Sequence, residues 1–453
     1  MVPNVPAPLD ESMGCLQTIS HEPAPKADPS ARMWRHSMAD ANTITRIGGI
    51  LKATFGPKIE EQQNKMAVLR TRYGKADNAY FRAPGDHFEF PARIGGNRAG
   101  IAPAASDDQL PTAGRQLEKK FSVSDRGYVG VIKMYEKDME NATKNFQSFI
   151  SHQQDEMTGI IEDIEKVINI DLAAGDGSGI LSKISAGATS VNQTLTVDTS
   201  FGGWGSRYLQ TGDVIDIYDS TLTTSRSAGA GYTVGVITLS SGGGAATIAL
   251  SASSTTTTGD IVVRAGGRVN KSYIGLWGAT HNQGVTFQGL STTTYPLLQA
   301  NRINAGGNPL SESYLRAMQS VVNVVSGKEI DEYAASHAQF DAYEALGFAQ
   351  KRFMESKLDK GFETLTFGTK PFFKDVDIPP SVVYGISKNT VKFGEVTALN
   401  FSELDGSILK WVPNYAAYTA YVREWGNMVY TNPNQLAVAD TLYYNTSSPA
   451  YAR

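Results

Sequence analysis

The sequence predicts an α+β chain, on three observations. Residues 135–173 carry an apolar stripe at helical spacing, enough for one helix of about 39 residues and about 55–60 Å at 1.5 Å per residue. Residues 185–269 form a Gly/Ser/Thr-rich island of short alternating segments, and the tail is rich in Tyr, Trp and Val, which favour strands. Ahead of the long helix lies a segment broken by proline and glycine, with little regular pattern. Long extended parts of this kind bury poorly on their own chain and are completed by neighbouring molecules.

The 453 residues suffice for a large core and more than one domain. Hydrophobic residues make up 41%, and charged residues, at 19%, fall below the usual quarter, with 44 glycines. Low charge and many small residues fit surfaces covered by partners, and they also fit an extracellular β protein, so composition alone does not decide. A net charge of −4 and a pI near 5.9 imply no general affinity for nucleic acid. The local basic group Arg70, Arg72 and Lys75 reads as a solvated helix end. The one cysteine, Cys15, allows neither an intrachain disulfide nor a thiolate cluster. The start MVPNVPAPLDESMG has no basic, apolar leader, and no stretch reaches the ~20 apolar residues of a membrane span.

Along the chain, residues 1–40 carry Pro3, Pro6, Pro8, Pro23, Pro25 and Pro29 and read as an extended arm. Ile44, Ile47, Ile50 and Leu51 predict a helix over 42–55, stopped at Gly56-Pro57, and a second follows around 58–72. In 73–134 proline and glycine recur throughout. Phe88-Glu89-Phe90 and Phe121-Ser122-Val123 alternate as strands do, and the long loop between them predicts an extended hairpin that reaches onto a neighbour. The long helix takes its stripe from Tyr135, Met139, Phe146, Ile150, Met157, Ile161, Ile164 and Ile168, and stops at Ala173-Ala174-Gly175. In the island, GDVIDIYD, YTVGVITL, AATIAL and GDIVVRAG predict a small barrel or sandwich inserted between about Ser185 and Arg268. Further on, Ser311 is placed to cap a helix over 312–325, a second helical run spans 330–354, and GFETLTFGTKPFFKDVDIPPSVVYGIS reads as strand, turn, strand.

Searches for chemistry return little. Gly175-Asp-Gly-Ser-Gly-Ile lacks the last glycine of a dinucleotide fingerprint and follows a helix, so it reads as a C-cap and turn. There is no phosphate-binding GxxxxGK[ST] and no GxSxG. Among His21, His36, His87, His152, His281 and His337 no pair lies at i, i+4. Asp213, Asp216 and Asp219 read as solvated strand-end acids. Asp375 and Asp377 would share one face of a strand, as a two-carboxylate hydrolase needs, yet acids at a strand exit explain them more simply. Tyr415, Tyr418, Tyr421, Trp425 and Tyr430 read as sheet core or subunit contact rather than as a sugar or base platform. No catalytic, cofactor-binding or metal-binding residue is assigned, no cofactor is expected, and the chain is not read as an enzyme.

The order of parts resembles the major capsid proteins of tailed bacteriophages. FPARIGGNRAGIAPAASDDQLPTAGRQ is similar to their E-loop and residues 135–173 to their spine helix. YIGLWGATHNQGVTFQGLSTTTYPLLQA and GFETLTFGTKPFFKDVDIPPSVVYGIS are similar to their A-domain and its return toward the P-domain, and EWGNMVYTNPNQLAVADTL to their closing P-domain strand. The resemblance implies an N-terminal arm over 1–72, an E-loop over 73–134, spine helix and start of the P-domain over 135–184, an inserted β domain over 185–269, an A-domain over 270–395 and C-terminal P-domain strands over 396–453. It implies a structural virion protein that self-assembles as hexamers and pentamers into an icosahedral shell around a dsDNA genome, held without sequence-specific binding. It further implies assembly in the bacterial host cytoplasm, a separate scaffolding protein (no charged helical segment precedes the arm), a portal and decoration proteins, and no membrane partner. Lys119 and Lys120 sit where some relatives place a crosslinking lysine, but no acid-and-Asn pocket accompanies them, so no crosslink is expected. Other classes remain as alternatives: a glycan-binding adhesin or other virion surface protein using the 185–269 island, and a hydrolase using Asp375 and Asp377.

Overall fold

A computed structural model describes residues 68–73, 87–98, 100–103, 112–137, 146–186, 192–198, 205–226, 231–238, 246–264, 268–350, 356–357, 363–403 and 406–444, all within one unit, 51–453. The arm, the helix expected over 42–55 and most of that expected over 58–72 lie outside the described residues.

A short helix, α1 (Val68–Arg72), precedes the hairpin β1 (His87–Gly95) and β2 (Leu117–Ser124), and β3 (Arg126–Tyr135) leads on toward the long helix α2 (Phe146–Ala174). The alternation around Phe88 and Phe121 is therefore a true antiparallel pairing, with Phe90 opposite Phe121 and Phe88 opposite Val123. Two expectations are corrected here. The hairpin base does not wait for a neighbour: Phe88, Phe90, Phe121 and Val123 are buried on their own chain against Leu298 and Val429. Nor does the long helix begin at Tyr135. Residues 126–135, RGYVGVIKMY, alternate in period two, and they run as a ten-residue strand because a partner strand from the tail is there to receive them.

Six strands follow: β4 (Ile180–Ala186), β5 (Asn192–Val197), β6 (Val214–Tyr218), β7 (Tyr232–Thr238), β8 (Ala246–Ser254) and β9 (Ile261–Arg264). They close in the order β4-β5-β8-β7-β6-β9 as an antiparallel barrel, which decides between the barrel and the sandwich. Its interior is aliphatic: Leu195, Val197, Ile215, Ile217, Val234, Ile248 and Val262 fill it, and Ile170 and Ala174 of α2 complete the cluster. Each fully buried side chain of this size contributes about 1.5–3 kcal/mol.

Beyond the barrel come α3 (Leu276–Thr280), the two-residue strands β10 (Thr286–Phe287) and β11 (Leu290–Ser291), β12 (Asn301–Asn304), α4 (Glu312–Ser326), β13 (Glu332–Ala335), α5 (His337–Gln350), β14 (Ser356–Lys357), β15 (Glu363–Phe367), β16 (Lys370–Lys374) and β17 (Val383–Ile386). The tail supplies β18 (Val391–Phe401), β19 (Lys410–Trp411), β20 (Ala417–Tyr430) and β21 (Ala437–Asp440). The helical run read over 330–354 is corrected at its start, since Glu332–Ala335 is a strand buried at every position, paired on both sides; a fully buried strand loses the alternation that would announce it. Ser311 does occupy the N-cap of α4, but its hydroxyl makes no capping bond and meets Ser313 Oγ at 2.7 Å instead.

Two sheets organise these elements. One has the order β18-β20-β19 with β3 on the other side of β20, and α2 packs across it. The other, mixed and seven-stranded, runs β12-β21-β17-β13-β16-β15-β14, with α4 covering it through Leu315, Met318 and Val322. The tail strands are divided between the two sheets: β20 belongs to the first, and β21 inserts between β12 and β17 of the second. The helix meets its sheet closely because Gly130 lies beneath Ile160 and Ile164; a Cβ there would stand 2.6 Å from Ile164 Cδ1.

Candidate functional site

The polar side chains that the fold brings together lie mostly along the inner side of α2. Its stripe Met157, Ile161, Ile164, Ile168 and Leu172 is buried. Interleaved with these apolar residues, and also buried, are Glu165, Asn169 and Asp171.

Glu165 faces a charge clamp. Arg70 of α1 grips Glu424 of β20 with both terminal nitrogens, at 2.7 and 2.5 Å, and Glu424 is fully buried. Two residues later Arg72 bonds the buried Glu332 of β13 at 2.6 Å while its guanidinium lies 4.0 Å from the centre of the Phe373 ring. Of the basic group read as a solvated helix end, Arg70 and Arg72 are instead partly buried and bonded to fully buried acids, which fixes α1 to both sheets, and Lys75 lies outside the described residues. Glu165 has no such partner: both its carboxyl oxygens are buried without a hydrogen bond, and burial pushes its pKa up to about 7, with Arg70 opposing the shift.

Asn169 donates to both members of the Asp375/Asp377 pair, at 3.2 and 2.6 Å. The two carboxylates do converge, but at the turn leaving β16, in keeping with acids at a strand exit. Arg207 donates to the carbonyl of Val376 and Tyr208 to that of Asp377 at 2.7 Å, so the turn is bound to the segment between β5 and β6. Burial raises Asp375 to about 6, and the neighbouring charge of Asp377 adds to the rise. Asp171 accepts from the Tyr128 hydroxyl, and burial holds its pKa up at about 7. Beside it, a cavity of about 400 Å³ lies between α2, β3 and the barrel, lined by Asp163, Asp213, Arg264, Arg268 and Lys271 around an apolar floor that includes Ile164 and Val214.

The remaining sequence candidates are separated by the fold. Asp213 caps a turn by accepting from the Gln210 amide, and exposed Asp219 accepts from Thr221, Thr223 and Thr224, which holds its carboxyl below the usual range. Asp216 is a correction, being buried in β6 rather than solvated at a strand end. His281 stacks on Trp277 and bonds Asp440, which Arg302 also grips, joining α3 to β21 and β12. His87 is exposed at the start of β1, and burial lowers the pKa of His337 at the start of α5. His21, His36 and Cys15 lie outside the described residues. Tyr430 is buried and donates to the Ile274 carbonyl, whereas Tyr415 is exposed, so the tail aromatics do not form one platform. Among the described residues no group of three or more His, Cys, Asp or Glu side chains is placed to hold a metal, and no helix is long and apolar enough to cross a membrane.

What stays open is surface. The half of the hairpin away from its buried base presents Leu117 through Lys120 exposed, and Ile101 in the turn region is 78% exposed. The face of β3 turned away from α2 shows Val129, Val131 and Tyr135, all about half exposed, with Trp425 beside them on β20. Apolar side chains in a row on an outer sheet face mark a contact surface. No sequence signal separated these residues from core strand residues, because which face is covered depends on where α2 lands.

No family model matches the chain, and no curated protein matches it by sequence. Among solved structures, the cyanophage A-1(L) capsid asymmetric unit is similar over 84% of this chain and 92% of its own, at 9% identity and a TM-score of 0.50. The capsid of an empty GTA particle (83% and 90% covered, 7% identity, TM-score 0.44) and Mycobacterium phage Patience (89% and 91%, 10%, 0.40) are also similar. The chain has the tailed-phage major capsid fold, an assignment that rests on the cyanophage shell.

Proposed function

We propose that this chain is a structural virion protein, a major capsid protein that self-assembles as hexamers and pentamers into an icosahedral shell enclosing a phage dsDNA genome. The observation that carries the reading is the shared capsid fold across nearly the whole chain. In its terms, β1 and β2 with their connecting turn are the E-loop, α2 is the spine helix on the sheet of β3, β18 and β20, the seven-stranded sheet belongs to the A-domain, and the barrel is an added domain. The hairpin supports it physically: its base is fastened to its own chain, while Leu117 through Lys120 toward its far end expose apolar and charged side chains. Closed point-group symmetry then lets repeated modest interfaces cover a large surface, each engaging at high effective concentration once its subunit has docked.

The partners proposed with it are copies of itself, a separate scaffolding protein, a portal and decoration proteins. The work is mechanical, so no catalytic residue is assigned. The test is electron microscopy and sedimentation of the chain expressed with its scaffold, beside a variant whose hairpin is shortened between Gly96 and Arg115. Shells from the full chain, and rings or subunits without shells from the shortened one, are expected. A full chain that stays monomeric at every concentration, with or without scaffold, overturns the reading.

A further inference from the structure

Glu165 is the described buried acid whose two carboxyl oxygens both lack a partner. It is 1% exposed, on α2, which packs against α1. Among the described residues, the charged groups that act on it are Arg70 from α1, Glu424 from β20 and Glu162 from its own helix. The guanidinium of Arg70 is already committed to both oxygens of Glu424. From β3, which also packs on α2, the position beneath Ile164 is Gly130; Arg126 is bound to the carbonyls of Gly177 and Ser272, and Tyr128 to Asp171. Helix α3, sequence LWGAT, brings no ionisable side chain. Arg423 alternates to the opposite face of β20 from Glu424.

Two carboxyls therefore share one guanidinium in a dry space, and only one of them is bonded to it. With Glu165 neutral, the Arg70–Glu424 fork is undisturbed. With Glu165 charged, it repels the carboxylate of Glu424 and draws on the guanidinium that holds it.

We propose that Glu165 is a proton-operated release for α1: neutral, it leaves the Arg70–Glu424 clamp closed; charged, it loosens the clamp and frees α1. The inference stands apart from the shell reading, since it concerns one chain and is read on one chain. The sign follows from the raised pKa. Folded, Glu165 titrates at about 7; in an opened α1 it returns to its ordinary value near 4.5. The closed form binds the extra proton, so closure is favoured in acid and is lost as pH rises from about 4.5 through about 7.

The experiment is hydrogen exchange of the purified full-length chain. Amides of residues 68–73 are followed against those of β8, with intrinsic rates corrected. The opening constant of 68–73 should rise about ten-fold between about pH 6 and about pH 8, with β8 unaffected. Glu165→Gln should abolish the rise and hold the slow rate throughout, and Asp171→Asn, which changes a different buried acid, should leave the rise intact. A flat wild-type profile, or a rise that survives in Glu165→Gln, overturns the proposal. Should Glu165→Gln not fold, carboxyl NMR of the wild type decides: titration near 7 supports the release, and titration near the ordinary glutamate value overturns it.

Discussion

The guanidinium of Arg70 and the carboxylate of Glu424, 354 positions apart, form a two-pronged bond of 2.7 and 2.5 Å with the acid fully buried. Together with Arg72 on Glu332 it turns a helix of five residues into a joint between two sheets. Truncating the basic partner leaves a buried, uncompensated charge. Arg70→Met should lower unfolding stability by about 3–5 kcal/mol, measured by urea denaturation, while Arg70→Met combined with Glu424→Gln should recover part of the loss.

Glycines set how closely the first sheet packs, and two of them should behave differently. At Gly130 an added Cβ meets the tips of Ile164 and Ile160 at 2.6 and 3.0 Å, and those side chains can turn aside. At Gly426 it meets the Gly394 carbonyl oxygen at 2.5 Å, and backbone cannot. Gly426→Ala should destabilise by about 1–3 kcal/mol, and Gly130→Ala by clearly less. Thermal unfolding of both variants gives the comparison.

The acid pair at the exit of β16 gives a pH prediction. Asp375 is raised from 3.8 to about 6, first by burial and then by the charge of Asp377. The folded state thus binds more protons than the unfolded state between about pH 3.8 and about pH 6, and this group's contribution to stability falls as pH rises through that window. Asp377→Asn removes the neighbouring charge, so the Asp375 carboxyl should titrate lower than in the wild type, read by carboxyl NMR.

In the barrel, Ile248 is fully buried among Leu195, Val234 and Ile215. Ile248→Ala should cost about 2–5 kcal/mol, seen as a lower denaturation midpoint with the slope of the transition retained.

Much of the secondary structure is legible because it follows from local periodicity. The strands around Phe88 and Phe121, four barrel strands, the buried stripe of α2 from Met157 to Leu172, and the strand-turn-strand before Val383 all repeat every two or every 3.6 residues. Where the reading failed, the reason was long-range. Residues 126–135 were assigned partly to a loop and partly to the helix, and they are a strand because β20, almost 300 residues later, pairs with them. Glu332–Ala335 passed for helix because burial on both faces leaves no alternation. No pattern in sequence marks Arg70 and Arg72 as bound to buried acids, since a cation two residues from another ordinarily faces water.

The sequence by itself determined the α+β class, the order of parts and the absence of any recognisable catalytic motif, because composition and short-range spacing carry those properties. Only the tertiary structure decided that β21 leaves the sheet of β20 for the other one, that α1 is held by ion pairs to two buried acids, and that Glu165 lies unpartnered beside one of them. Pairings between distant strands and the desolvation of a charge depend on which surfaces meet, and a linear pattern does not record that.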